Sequence, residues 1–136
     1  MKNKFSTHWL SSKLPRKQRK YIANAPLHTK HKFLGSPLSK PLKEKHKKNS
    51  LPIRKGDEVL IMRGAFKKKK AKVTSVNLKR NRVILENIYR TKKDGSKVNV
   101  YFHPSKLQIQ SLNLEDKHRL TAVNRGKEKT APKEAK

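Results

Sequence analysis

From residue 51 onward, apolar and polar positions alternate in short runs separated by turn residues. "DEVLIMR" (57–63) follows Gly56, and "AKVTSVNL" (71–78) is β-branched and partly alternating. "RVILENI" (82–88) follows the polar turn "KRN", "KVNVYF" (97–102) follows "KDG", and "KLQIQSL" (106–112) alternates Leu107 and Ile109 with polar residues. Period-two runs bounded by turn signals predict strands. Asp94-Gly95 predicts a tight hairpin turn, because both residues tolerate positive φ. Five short strands in this space predict a mainly β fold, a small antiparallel barrel with Val59, Ile61, Val73, Val76, Val83, Leu85 and Ile109 facing inward.

The flanks read differently. Pro15, Pro26, Pro37, Pro41 and Pro52 break residues 1–52 into pieces too short for a core helix. "RKQRKYIAN" (16–24) predicts one short basic helix. "SKPLKEKHKK" (39–48) predicts a second, with Ser39 as N-cap and Pro41 in the first turn. Tyr21, Ile22, Leu27, Phe33, Leu34, Leu38 and Leu42 suffice to pin a strap but not to build a domain. After Leu114, Glu115 and Asp116 suit the start of a short helix, with Gly126 as its stop. The expected organisation is a basic, partly helical extension (1–50), a barrel (51–112), and a C-terminal helix and tail (113–136).

Composition restricts how much of this can fold alone. Only 32% of the 136 residues are apolar and 34% are charged, against roughly 45–50% apolar in ordinary soluble domains. So little apolar surface does not offset the entropy of ordering every residue. Lys and Arg number 37 against nine Asp and Glu, a net charge of +28. Repulsion on that scale calls for a polyanion. Residues 1–52 hold 14 basic and 1 acidic side chains, 53–112 hold 16 and 4, and 113–136 hold 7 and 4. The excess therefore lies in the extension and barrel, and the extensions are expected to order on a partner.

Nucleic acid and an anionic membrane surface are the two candidate polyanions. The longest apolar run, Val59 to Met62, is four residues, far short of the roughly 20 a spanning helix needs. "MKNKFSTHWLSSK" lacks the apolar stretch of a secretory leader. No membrane insertion is expected. With no cysteine there are neither disulfides nor thiolate metal sites.

The cations cluster in three places. "RGAFKKKKAKV" (63–73) puts Lys67, Lys68, Lys69 and Lys70 on the loop between the first two barrel strands, with Phe66 either folded back or stacked outward. Along a phosphate chain each lysine releases a condensed counterion, which offsets their mutual repulsion; the bland alternative is a solvated loop. "YRTKKDGSK" (89–97) makes a basic hairpin tip of Arg90, Lys92, Lys93 and Lys97. Tyr89 at its base caps the core or stacks on a base, the first being the favoured reading. "RKQRK" supplies Arg16, Lys17, Arg19 and Lys20 as an arm along phosphates, or serves as an import or solubilising run. No enzyme is expected. The acids are scattered, no phosphate-cradling glycine loop is present, and His28 and His31 have no partners at zinc spacing. Neither metal nor cofactor is implied; the histidines suit hydrogen bonding or stacking on RNA.

"IRKGDEVLIMRGAFKKKKAKVTSVNLKRNRVILENI" resembles the KOW motif, a strand, loop and strand in an SH3-like barrel. Together with "PRKQRKYIANAPLHTKHKFLGSPLSKPL" and "DGSKVNVYFHPSKLQI", it resembles one family over residues 14–125. That family is the universal KOW-domain protein of the large ribosomal subunit, the bacterial twenty-fourth and eukaryotic twenty-sixth protein, in its archaeal and eukaryotic form. The resemblance implies a cytoplasmic, ribosome-bound protein that binds large-subunit rRNA, assists assembly and lies near the nascent-chain tunnel exit. Its implied partners are neighbouring ribosomal proteins and the targeting or translocation factors that dock there, with no homo-oligomer. By position, Arg54, Lys55, Arg63, Lys67 to Lys70, Lys72, Lys79 and Arg80 fall on the RNA-facing segment. The arm from Arg16 through His28, Lys30, His31 and Lys32 threads along RNA, and His103 and Lys106 of "HPSK" join the same set. The family usually carries glycines near Lys68 and Ala71, the second being the motif's hallmark. Here Ala71 is the least disruptive replacement, and the added charge of Lys68 is expected to compensate in part. A transcription elongation or antitermination module is the alternative bearer of such a barrel, but those factors join it to a separate globular domain.

Overall fold

A computed structural model describes residues 5–125, apart from the side chain of Trp9. Four helices and seven strands are present among them. The helices are α1 (Pro15–Asn24), α2 (Leu27–Phe33), α3 (Lys40–His46) and α4 (Lys117–Asn124). The strands are β1 (Gly35–Pro37), β2 (Ser50–Pro52), β3 (Glu58–Ile61), β4 (Lys70–Asn77), β5 (Arg82–Thr91), β6 (Lys97–Phe102) and β7 (Leu107–Ser111).

The five expected strands form one antiparallel sheet in the order β6-β5-β4-β3-β7. Its two edge strands are consecutive in the chain, joined only by the single 3₁₀ turn Pro104–Lys106. A flat sheet of five strands would hold its edges roughly 19 Å apart, too far for a link this short and coiled. The sheet therefore curls into a small β fold that brings the end of β6 near the start of β7, with no ladder between these two strands. Ser36 reinforces the junction: this buried hydroxyl donates to the Pro104 carbonyl at 2.5 Å.

Inside the curl lie Val59, Ile61, Val73, Val83, Leu85 and Ile109, all buried as expected; Val76 is half-buried and packs against the same cluster. Leu34 and Leu38, which read as strap, are also buried beside Leu51 and Ile53, so part of the extension contributes to the core. Two short strands the pattern did not reveal hold them there. β1 pairs with β2, each strand ending in a proline (Gly35↔Pro52, Pro37↔Ser50). Leu38 extends the pairing to Ile109, and the Ser39 amide donates to the Ile109 carbonyl at 2.9 Å.

Pro15 starts α1 as expected, its missing N–H costing nothing in the first turn. α2 was not foreseen; seven residues with two histidines and a threonine carry little helical signal. Tyr21 joins the two helices, its ring 5.1 Å from Phe5 and 5.9 Å from Phe33. Ser39 occupies the N-cap position of α3 without a side-chain capping bond. Asp116 does cap α4, accepting from the His118 amide at 2.8 Å, and that helix ends at Asn124. The expected stop at Gly126 lies outside the described residues.

Candidate nucleic-acid interface

The lysine-rich loop is tightly built. Its ends are fastened by the Lys68 amide donating to the Ile61 carbonyl (2.8 Å) and the Ile61 amide to the Lys69 carbonyl (3.0 Å). Gly64 makes the exit from β3 at φ +99°. Phe66 folds back, packing edge-on against Phe102 at 6.1 Å, with the Lys69 ammonium 5.5 Å over its ring. This half-buried aromatic anchor leaves Lys67 to Lys70 exposed as a row. Lys68 adopts φ +70°, while Ala71 is a strand residue opposite Val59. The left-handed position thus falls at the first of the two usual glycine sites, and Ala71 has no need of glycine's freedom.

The hairpin of β5 and β6 projects beyond the core. A register shift between Ile84 and Tyr89, with Asn87 at φ +56°, detaches its outer part, and residues 89–99 are all exposed. Arg90, Lys92, Lys93 and Lys97 therefore face solvent. At the tip only Gly95 has positive φ (+81°). The turn is a three-residue loop, closed by Lys92 amide to Ser96 carbonyl (2.9 Å) and Gly95 amide to Lys92 carbonyl (3.1 Å), not the two-residue form expected. Asp94 stabilises it by accepting from the Ser96 hydroxyl (2.6 Å) and amide (2.9 Å). These bonds, the hydroxyl first, hold its carboxyl below the usual range. Tyr89 does not cap the core: it is 41% exposed, with the Lys97 ammonium 4.5 Å over its ring.

The other expected residues divide by environment. Arg16, Arg19, Lys20, His28, His31 and Lys32 are exposed on α1 and α2, and Lys17 is half-buried. Lys30 is buried, its ammonium donating to the Ala23 carbonyl at 3.3 Å, so it braces the two helices. Lys55, Arg63, Lys72, Lys79 and Arg80 are exposed, while Arg54 is ion-paired to Asp116. Lys106 is exposed. His103 is half-buried, its Nδ1 accepting from the Ser105 amide at 3.3 Å, which places the proton of the neutral ring on Nε2. Burial, with the cations Arg82 and Lys106 nearby, lowers its pKa. Arg82 was not singled out from sequence, although the run "KRNR" contains it and the strand period turns it outward.

One acid is wholly internal. Asp57, 0% exposed, accepts from the Arg119 guanidinium at 2.5 and 2.7 Å and from the amides of Arg54 (2.9 Å) and Asn113 (3.0 Å). The pair ties α4 to the start of β3. It also spends one of the few negative charges where it cannot weaken the cationic surface. Among the described residues, no group of three His, Asp or Glu is placed to hold a metal, and no helix is long and apolar enough to cross a membrane.

A curled sheet with cationic loops and a cationic helical arm defines a polybasic β protein whose working surface is its charge. The chain belongs to the ribosomal protein family that comprises L26 of eukaryotes and its archaeal L24 counterpart, and the family model matches residues 12–126. It is 46% identical over 116 residues to the large ribosomal subunit protein uL24 of Korarchaeum cryptofilum, covering 85% of this chain and 88% of that protein. It is 45% identical over 114 residues to the uL24 of Methanosphaera stadtmanae, covering 84% of this chain and 97% of that protein. The family is structural, not enzymatic. The match includes the arm, which the elongation-factor alternative would not.

Proposed function

We propose that this chain is a structural constituent of the large ribosomal subunit that binds large-subunit rRNA through backbone phosphates and takes part in subunit assembly near the nascent-chain tunnel exit. The observation that carries the binding is the exposure of two neighbouring cationic projections, Lys67 to Lys70 and Arg90 to Lys97, with Asp94 as their one acid and that acid engaged in its own turn. Lysines on loops recognise shape and charge more than base edges, so sequence readout is minor. The arm (within 1–50) lies along phosphates, the sheet (51–112) docks its two projections, and in the C-terminal part (113–136) α4 braces the sheet. Neighbouring ribosomal proteins complete the site, and the tunnel-exit position offers targeting and translocation factors a surface.

Salt titration tests this. A protein neutralising six to ten phosphates loses about 10³–10⁵ in affinity between 50 and 200 mM salt, and a loss of that order is expected for binding to large-subunit rRNA. A flat salt response, or absence from the large particle on a low-salt sucrose gradient, contradicts the proposal.

A further inference from the structure

Beneath the two projections lies a cleft of about 810 Å³, within the roughly 300–1,000 Å³ typical of sites that enclose a small molecule. Its cations come from four places in the chain: Arg63 after β3, Arg82 at the start of β5, Arg90 and Lys92 on the hairpin, and Lys106 before β7. Among the described residues no carboxylate lines it. A second cleft of comparable size, between α4 and the sheet, includes Glu115 and Asp116. The floor is apolar, formed by Phe66, Val98, Val100 and Phe102. Val98 remains 39% exposed, and a Cβ added to Gly64 at the rim would meet nothing within 4 Å.

Charge alone would be served by a row of lysines, as on the neighbouring loop. An apolar floor ringed by guanidinium groups asks for a ligand that is flat and apolar on one part and anionic on another. Guanidinium planes stack on bases and bind phosphate, and apolar floors accept base faces. A duplex keeps its bases stacked inside and would leave that floor in contact with water. We propose that this cleft holds an unpaired nucleotide of the bound RNA, its base over Val98 and Val100 and its flanking phosphates on Arg63, Arg82 and Arg90. The inference rests on the rRNA-binding reading above and narrows it to a single-stranded element. His103, in the lining and poor in protons because of its burial and its cationic neighbours, offers the proton on Nε2 to a base or phosphate acceptor.

The test uses the full chain, isotope-labelled, with a tetraribonucleotide and with an abasic tetranucleotide of equal backbone charge. The intact oligonucleotide is expected to bind about tenfold more tightly than the abasic one and to shift the amides of residues 63–66 and 98–103. Val98→Ser, at a partly exposed position, is expected to remove at least threefold of that gain without changing abasic binding. Equal affinity for the two oligonucleotides, shifts confined to other residues, or displacement of the oligonucleotide by an equally charged acidic peptide overturns the proposal. If any of these occurs while large-subunit rRNA still binds with a steep salt dependence, this inference alone falls. Loss of rRNA binding altogether removes the functional reading beneath it as well.

Discussion

Lys68 bears two opposing demands, since its φ of +70° strains any residue with a Cβ while its ammonium extends the cationic row. Left-handed backbone costs a non-glycine residue roughly 1–2 kcal/mol. Lys68→Gly is therefore expected to raise stability by about 1 kcal/mol in urea melts and to reduce the salt slope of rRNA binding by about 0.9, one phosphate contact. An unchanged slope would show that this lysine touches no phosphate. Gly56 presents the reverse case, at φ +89° with its amide donating to Val73. A methyl group there would also meet the Asn113 side-chain nitrogen at 2.6 Å. That amide can shift, so the backbone term dominates, and Gly56→Ala should cost about 1–2 kcal/mol. His103 makes a third prediction. Its pKa is lowered in the fold, so its contribution to stability is full above the ordinary value near 6.5. That contribution declines as pH falls through that value toward the folded pKa. Ring-proton NMR should place its titration below 6.5.

At the scale of elements, the alternation of Val, Ile and Leu was enough to predict all five strands of the main sheet, because each buries one face and a slip of one residue would expose it. β1 and β2 were illegible for a physical reason: three residues each, with a terminal proline, they carry no period and depend on Ser36, Leu38 and Leu51 finding distant partners. Tyr89 was misread because nothing in "ENIYR" announces the irregularity at Asn87 that releases the hairpin from the core. The cationic loops were legible as charge, but their convergence on one cleft was not, since Arg63 and Arg90 are brought together by the curl of the sheet. The Asp57–Arg119 pair was equally hidden. Asp57→Ala leaves a buried guanidinium without its counter-charge, and a loss of about 3–5 kcal/mol is expected. Adding Arg119→Met should recover part of it. A double variant no better than Asp57→Ala in chemical denaturation would contradict the assigned partnership.

Across the whole molecule, the boundary that matters for truncation lies at Leu34. Residues 5–33 meet the remainder mainly through α2, which packs against β2, whereas Leu34, Ser36 and Leu38 are built into the core. Removing 1–33 is expected to leave a cooperatively folding sheet with at least tenfold weaker rRNA affinity, since several phosphate contacts are lost. Removing 1–50 should abolish cooperative melting. Hydrogen exchange on the intact chain should show α1 and α2 opening freely without RNA and slowing on binding, as expected of arms carrying this much charge.

The position of Arg119 has a further consequence during synthesis. A polypeptide released before that codon would enclose a carboxylate it cannot neutralise, and one released before Asn113 would lose a backbone donor to it as well. Such fragments would be easy prey for proteases, so the guanidinium doubles as a check that the sheet has received its α4 brace.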